Sequence, residues 1–260
     1  MNLLITGALG HIGSCFIHSL KPGDFNKVVL IDNLSSQRYP SLFNLPEGVP
    51  FSFVKDDICT ADLEEYFTGI DVVLHLAAIT DAAGSFDMQE QVEQVTFHGP
   101  ERVAQACEVT GSRLIFLSTT SVYGVQDGEV DEDCPIDQLK PQSPYAKIKI
   151  LEENILKKKT KSIRYNTFRF GTIAGTAKGI RFHTAVNSFC LNAAIGEKIK
   201  IYKTALHQYR PYLSIKDAFK LFKFCIEKDF FENDIYNVVS NNFTVNQIIK
   251  KIKKLKKNIK

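Results

Sequence analysis

The chain has 260 residues, 44% of them hydrophobic and 23% charged, the balance of a globular protein with enough mass for a sizeable core. No stretch approaches the length of a membrane span, the first residues lack the basic flank and apolar core of a secretory signal, and six scattered cysteines show no C-x-x-C spacing, so reduced thiols in a cytoplasmic protein are expected, without a metal site. The formal charge is +3, but residues 250–260 hold seven lysines and no acid, and taking those away leaves −4 on the rest of the chain, so the basicity belongs to the tail and no nucleic-acid partner is expected.

Asn2-Leu3-Leu4-Ile5-Thr6 reads as a short buried strand. Gly7-Ala8-Leu9-Gly10-His11-Ile12-Gly13 follows, with an apolar-periodic helix running to Leu20. Glycines at this spacing let the backbone turn tightly and approach a pyrophosphate at the helix start. The glycine run alone is weak evidence, but between a strand and a helix it has the context that such a loop needs. A second strand, Lys27 to Ile31, ends at Asp32, about 20 residues after the loop, where a carboxylate suits the ribose hydroxyls of NAD and repels the phosphate of NADP. Arg38, a few residues on, softens that preference.

Phe51 to Val54 is the next strand, leading into Asp56-Asp57-Ile58. Asp71 to Ala78 is nearly all apolar and reads as a strand buried on both faces. Gln89 to Val109 reads as a helix, bent around Gly99-Pro100. Arg113 to Ser118 and Ile163 to Phe170 are further strands, flanking a helix that starts near Tyr145. Strands alternating with helices imply an α/β fold with a doubly wound parallel sheet. Ligands of such sheets bind at the carboxyl ends of the strands, so the hydroxyls of Ser118-Thr119-Thr120-Ser121 face the same crevice as the glycine loop. Strand ends and turns are also rich in hydroxyls for structural reasons, which accounts for some of the four. At the far end, Val245, Ile248, Ile249, Ile252, Leu255 and Ile259 recur at helical spacing among lysines, as in an amphipathic helix that packs one face.

Tyr145 and Lys149 are four residues apart, which stacks them on one helix face. A phenol ionises near pH 10, and an ammonium alongside favours the phenolate, so the pair is a candidate base with a lowered pKa. Alone, a surface tyrosine and a solvated lysine explain it better, since the spacing arises often by chance. The phosphate loop, the acidic second strand and the hydroxyl cluster, all in order upstream, reverse that judgement.

Thr6-Gly7-x-x-Gly10-x-x-Gly13, Asp57-Ile58, His75-Leu76-Ala77-Ala78, Ser118-Thr119 before Val122-Tyr123-Gly124, and Tyr145-x-x-x-Lys149 together resemble the extended short-chain dehydrogenase/reductases, and within them the NAD-dependent nucleotide-sugar epimerase/dehydratase family. The resemblance runs from residue 3 to about residue 217. It implies a Rossmann-like NAD-binding domain over residues 1–170 and a small substrate lobe over 171–260, partly interleaved with it. Gly7, Gly10, His11, Ile12 and Gly13 are then expected at the pyrophosphate, Asp32 and Asn33 at the adenosine ribose, and Asp57 and Ile58 at the adenine. Leu76, Ala77 and Ala78 border the cofactor. Thr119, Tyr145 and Lys149 are the implied catalytic set, with Lys149 also on the nicotinamide ribose. Asn187 and Arg210 are the implied substrate contacts, Arg210 meeting the diphosphate with its guanidinium.

The reaction that the resemblance implies oxidises a sugar carbon, C4, to a transient ketone that is reduced again from its other face. Family dehydratases carry an Asp-Glu pair directly after the catalytic Thr, whereas this chain has Thr120-Ser121, so epimerisation or simple oxidoreduction is expected over dehydration. Two further departures stand out. Thr96 occupies a position where the family usually has Asn, and the family usually continues for several dozen residues beyond the point where this sequence stops, so the substrate lobe is expected to be shortened. Two other readings remain: an NAD(P)-dependent reductase or dehydrogenase of another small substrate, and a non-catalytic NAD-binding sensor or assembly subunit. The resemblance also implies a homodimer through the helices holding Gln89–Val109 and Tyr145–Lys159.

Overall fold

The computed structural model describes residues 1–78, 98–126, 128–159 and 161–256. Thr96 and the 89–97 part of the expected Gln89–Val109 helix lie outside the described residues.

Seven parallel strands form the main sheet in the order β3-β2-β1-β4-β5-β6-β9, with β1 Asn2–Thr6, β2 Lys27–Asp32, β3 Phe51–Lys55, β4 Val72–His75, β5 Arg113–Thr119, β6 Tyr165–Phe170 and β9 Asp234–Val238. The order reverses at β1, between β2 and β4, as in a doubly wound Rossmann-like sheet, so a crevice opens at the carboxyl ends of β1 and β4. Strand β4 is buried along its whole length because helices cover both faces. On one face Leu3, Ile5, Leu30 and Leu74 pack with Phe16 of α1 (His11–Ile17) and with Phe222 and Cys225 of α6 (Ile215–Glu227). On the other, Leu4, Val73, Leu114 and Phe116 pack with Val103 and Cys107 of α3 (Gly99–Thr110) and Leu156 of α4 (Pro144–Lys158).

A second sheet, β10-β8-β7, joins β7 Thr172–Ala174 in parallel and β10 Asn241–Thr244 in antiparallel register to β8 Tyr209–Ser214. It carries its own small core, in which Ala193 of α5 (Ala185–Ile195) meets Tyr212 and the Ile248 and Ile252 pair of α7 (Val245–Leu255). The terminal helix is therefore amphipathic, with a Thr244–Gln247 capping box at its start. The two sheets share the chain after residue 171: α6 and β9 return to the main sheet while α5 and α7 cover the small one.

Three boundaries differ from the sequence expectation. Helix α1 ends at Ile17, three residues before Leu20, because the chain turns off through two short hydrogen-bonded turns at Ser19 and Leu20. Strand β4 ends at His75, and Leu76-Ala77-Ala78 leave the sheet to pass close over Gly7. Strand β6 begins at Tyr165, and its six residues are all buried although Asn166, Thr167 and Arg169 are polar. That burial is tolerable because Asn166 and Arg169 are hydrogen-bonded: Asn166 Nδ2 donates to Phe230 O at 2.9 Å and its Oδ1 accepts from Glu232 N–H at 2.8 Å.

Candidate functional site

The sharp turn from β1 into α1 builds the first wall. Gly7 has φ +63°, and a Cβ there would stand 2.6 Å from Ala77 N. A Cβ at Gly13 would stand 2.4 Å from the Ala8 carbonyl oxygen, so helix and strand can approach only with glycine there. Gly10 takes the N-cap position and the first turn of α1 has no acidic side chain. Asp32, at the end of β2, braces this loop, since its Oδ2 accepts from Leu9 N–H at 3.0 Å and its Oδ1 from Leu34 N–H at 2.9 Å. Asn33 Nδ2 donates to Asp57 Oδ2 at 2.9 Å, which joins the expected ribose and adenine residues across the ends of β2 and β3. The same bond and the Cys59 backbone hold the Asp57 carboxyl below its ordinary range despite partial burial. Ile58 is buried beneath Gly99 at the start of α3.

A cavity of about 390 Å³ extends from this loop across the carboxyl ends of β1, β4, β5 and β6. It brings together Gly7, Gly10, His11, Ile12, Gly13, Leu76, Ala77, Ala78, Thr119, Tyr145 and Lys149, residues from four separate stretches of sequence. Thr119 ends β5, and its Oγ1 accepts from Ser121 N–H at 3.1 Å, which leaves its own proton to donate. Of its neighbours, Ser118 donates to Glu153 and Thr120 to Phe170 O at 3.2 Å, so those two hydroxyls serve the fold, as the bland account of a strand end has it.

Helix α4 presents the last wall. Ser143 caps it by accepting from Ala146 N–H at 3.2 Å, Pro144 opens it, and Lys157 and Lys158 close it. Its inward face carries Lys149, Glu152 and Glu153, all buried. Lys149 Nζ lies 2.7 Å from Glu152 Oε2, 4.8 Å from the centre of the Phe116 ring and 5.9 Å from that of Tyr145. Burial would lower the Lys149 pKa, but Glu152 and Tyr145 carry it above its ordinary value. For Tyr145 the outcome departs from the expectation of a lowered pKa. Burial pushes the phenol up, Lys149 and Arg181 pull it back only in part, and Glu152 adds to the rise. Burial is the larger influence, and Lys149, whose ammonium lies 2.7 Å from Glu152 Oε2, does not offset it.

Two of the histidines that line the cavity are buried. His75 Nδ1 meets Thr6 Oγ1 at 2.7 Å, and Thr6 Oγ1 also accepts from Ala77 N–H at 3.3 Å. Burial and the nearby Lys149 charge push His75 down to about 3. His11 Nε2 donates to Gly175 O at 2.8 Å, and burial, reinforced by Arg181, Arg38 and His183, pushes it down to about 4. Both rings are thus neutral at pH 7.

The substrate side differs in detail from the expected contacts. Asn187 is buried beside the cavity: its Oδ1 accepts from Gly175 N–H at 3.1 Å and its Nδ2 donates to Arg181 O at 2.9 Å. It holds the 175–184 segment, whose Arg181, His183 and Thr184 line the cavity. Arg210, at the exposed end of β8, donates to Gln208 at 2.9 Å and is not among the lining residues. Arg38 does line the cavity. Arg181, His183 and Glu152 carry no local sequence signal, because an arginine after Gly179-Ile180 and a second glutamate in a helix are ordinary surface patterns.

The cradle fits a dinucleotide: glycines where a side chain would collide with backbone, an acid-free helix start, and Arg38 beside it. The model of the NAD dependent epimerase/dehydratase family matches residues 3–238. A UDP-glucose epimerase of Bacillus subtilis described as uncharacterised is 33% identical over 184 residues, covering 67% of this chain and 57% of its own length. A trifunctional UDP-glucose 4,6-dehydratase, 3,5-epimerase and reductase of Arabidopsis thaliana is 30% identical over 257 residues, covering 91% of this chain and 37% of its own. The chain thus spans little more than half of these relatives' lengths, or less. Among solved structures, the UDP-glucuronic acid 4-epimerase of Bacillus cereus, in complex with UDP-glucuronic acid and NAD, superposes with a TM-score of 0.85 at 26% identity, covering 98% of this chain and 83% of its own. With a family match across nine-tenths of its length on top of this fold and cleft, the chain belongs to the NAD dependent epimerase/dehydratase family.

Proposed function

We propose that the chain is an NAD-dependent nucleotide-sugar epimerase acting through a transient keto-sugar. The observation that carries this reading is the convergence of Thr119, Tyr145 and Lys149 with the Gly7–Gly13 loop on a single cavity. NAD held in this cleft would supply the hydride acceptor for the sugar carbon and the hydride donor for the ketone. Tyr145, as phenolate, takes the proton of the sugar hydroxyl as the carbon loses its hydride, and gives it back when the ketone is reduced on the other face. Thr119 donates a hydrogen bond to the reacting oxygen and keeps it in line with the phenol. Lys149 stabilises the phenolate and holds the nicotinamide ribose. Gly7, Gly10, His11, Ile12 and Gly13 receive the pyrophosphate, Asp32, Asn33, Asp57 and Ile58 the adenosine end, and Leu76, Ala77 and Ala78 the flank of the cofactor. Asn187 and Arg210 remain the proposed substrate contacts, joined by Arg181.

Relatives include dehydratases as well as epimerases. Epimerisation is favoured here because a hydroxyl, Ser121, lines the cavity two residues after Thr119, where dehydration needs an acid and base pair, and no Asp or Glu is among the described lining residues. The exposed Val109 and Leu151, on α3 and α4, support a homodimer across those helices. We place the protein in the cytoplasm on its thiol usage; among the described residues no helix is long and apolar enough to cross a membrane.

The test incubates purified protein with NAD and a panel of UDP-, GDP- and dTDP-sugars and follows products by NMR, with Tyr145→Phe as control. Interconversion of two epimers that stops in the control is the expected result. Binding of NAD without turnover of any nucleotide sugar would leave the sensor reading in its place, and a 4-keto-6-deoxy product would establish dehydration.

A further inference from the structure

Helix α4 buries two adjacent glutamates, and their circumstances differ. Glu153 is fully engaged, accepting from Ser118 Oγ and from Arg169 Nε at 3.0 Å and Nη2 at 2.7 Å. Glu152, with no exposed surface, meets Lys149 Nζ at 2.7 Å, and among the described residues its carboxylate has no other hydrogen-bond or ion-pair partner. A carboxylate in that position is tolerated only while its cation stays close or its proton stays on. The ammonium it engages is the one Tyr145 needs, and that ammonium is nearer to the carboxylate than to the phenol ring. Coulomb attraction grows as charges approach, so a carboxylate at 2.7 Å holds the ammonium strongly.

We propose that Glu152 is the positioning residue of the proton-handling couple: its carboxylate anchors Lys149 Nζ in the cavity wall and competes with the Tyr145 oxygen for the ammonium charge. The proposal rests on the reading of Tyr145 and Lys149 as that couple. Other titratable and charged groups among the described residues act on it. Glu153 is ion-paired with Arg169 of β6, His75 of β4 is kept uncharged by burial and by Lys149, and Arg181, from the 175–184 segment, acts on Tyr145. Burial, opposed by Lys149 and aided by Glu153, lifts the Glu152 carboxyl to about 7. Near neutrality it therefore passes between a protonated form that leaves the Lys149 charge to Tyr145 and an ionised form that draws that charge away. The couple is tuned from the side opposite to the usual picture of a lysine acting on tyrosine alone.

The chain has nine tyrosines, so the phenolate absorbance of Tyr145 is isolated by subtracting the pH titration of Tyr145→Phe from that of the parent protein. The same subtraction is made in a Glu152→Gln background, and in Glu152→Met in case the amide does not fold. Tyr145 ionising at lower pH without the carboxylate is the expected result, with the acid limb of the kcat profile moving the same way and KM for the nucleotide sugar unchanged. An unchanged or higher ionisation in folded variants overturns the proposal, and a lower melting temperature as the only effect reduces Glu152 to a structural residue. Because the titration needs no substrate, it still reads the coupling if no nucleotide sugar is turned over, an outcome that would instead sink the catalytic reading.

Discussion

Arg169 grips Glu153 with two parallel hydrogen bonds, Nε to Oε1 at 3.0 Å and Nη2 to Oε2 at 2.7 Å, while its Nη1 donates to Tyr123 Oη at 2.8 Å. Both side chains are buried, so β6 and α4 are locked behind the cavity by a desolvated fork. The fork also fixes Ser118, which donates to the same Glu153 oxygen, and through Tyr123 it reaches Asn237 on β9.

Removing one partner of this pair leaves an uncompensated charge in the interior. Arg169→Ala or Glu153→Ala is expected to lower unfolding free energy by about 3–5 kcal/mol in denaturant titrations. The double substitution Arg169→Met with Glu153→Leu is expected to recover most of that loss, since an apolar pair of similar volume avoids the desolvation cost. Equal losses in the single and double variants would show that the two groups do not act as a pair.

The glycine cradle makes two steric predictions. Gly13→Ala drives a Cβ into the Ala8 carbonyl and is expected to cost about 1–3 kcal/mol of stability as the helix moves off the strand. Gly7→Ala adds a left-handed backbone strain to its collision with Ala77. Both variants are expected to lose the thermal stabilisation that NAD confers on the parent, read as the shift in melting temperature with added cofactor. A variant that keeps the full shift would move the pyrophosphate elsewhere.

Tyr145→Phe removes the proton acceptor but not the ring, and is expected to lower kcat by about 10²–10⁴-fold with little change in KM. Thr119→Val removes the hydrogen bond to the reacting oxygen and is expected to cost less. Steady-state rates on a nucleotide sugar check both, and a Tyr145→Phe protein with the parent kcat would exclude the proposed base.

Substrate binding separates two arginines. Arg181→Ala is expected to weaken binding of a nucleoside diphosphate about tenfold or more, the size of one lost charge-assisted hydrogen bond. Arg210→Ala, at an exposed position outside the cavity, is expected to do less. Calorimetry with UDP decides, and the opposite order would mean that β8 moves over the substrate on binding.

Stability should fall with acid in a predictable window. His75 and His11 ionise at about 3 and about 4 when folded, against an ordinary 6.5. The unfolded chain therefore takes up protons that the folded one refuses, and their contribution, whole above pH 6.5, is lost as pH falls from there towards 4, at about 1.4 kcal/mol per unit for each ring. Glu152 acts in the other sense. Its folded value near 7 lies above the ordinary 4.5, so its contribution is whole below pH 4.5 and is lost as pH rises through 7. Between pH 4.5 and 6.5 one carboxyl offsets one of the two histidines, and Glu152→Gln is expected to steepen the acid loss in that interval. Melting temperatures across the range test it, and parallel curves for parent and variant would count against the Glu152 assignment.

Much of this molecule is legible in its order of residues. The period of apolar runs marks each inner strand of the main sheet, and the glycine spacing marks the phosphate loop, because both express local rules of backbone and burial that need no distant partner. Tyr145 and Lys149 are visible for the same reason, as one turn of helix. The reach of those rules stops at side chains whose role depends on what the fold brings to them. Nothing local distinguishes Glu152 from a solvated helix glutamate, or Arg181 from a surface arginine, until β5 and the 175–184 segment close around them. Nor does spacing reveal that burial and Glu152 together outweigh Lys149 at the Tyr145 phenol. The sequence by itself determined the fold class and marked Tyr145 and Lys149 as a candidate pair; the tertiary structure alone decided what surrounds that pair, because desolvation and charge competition are set by distances between residues far apart in the chain.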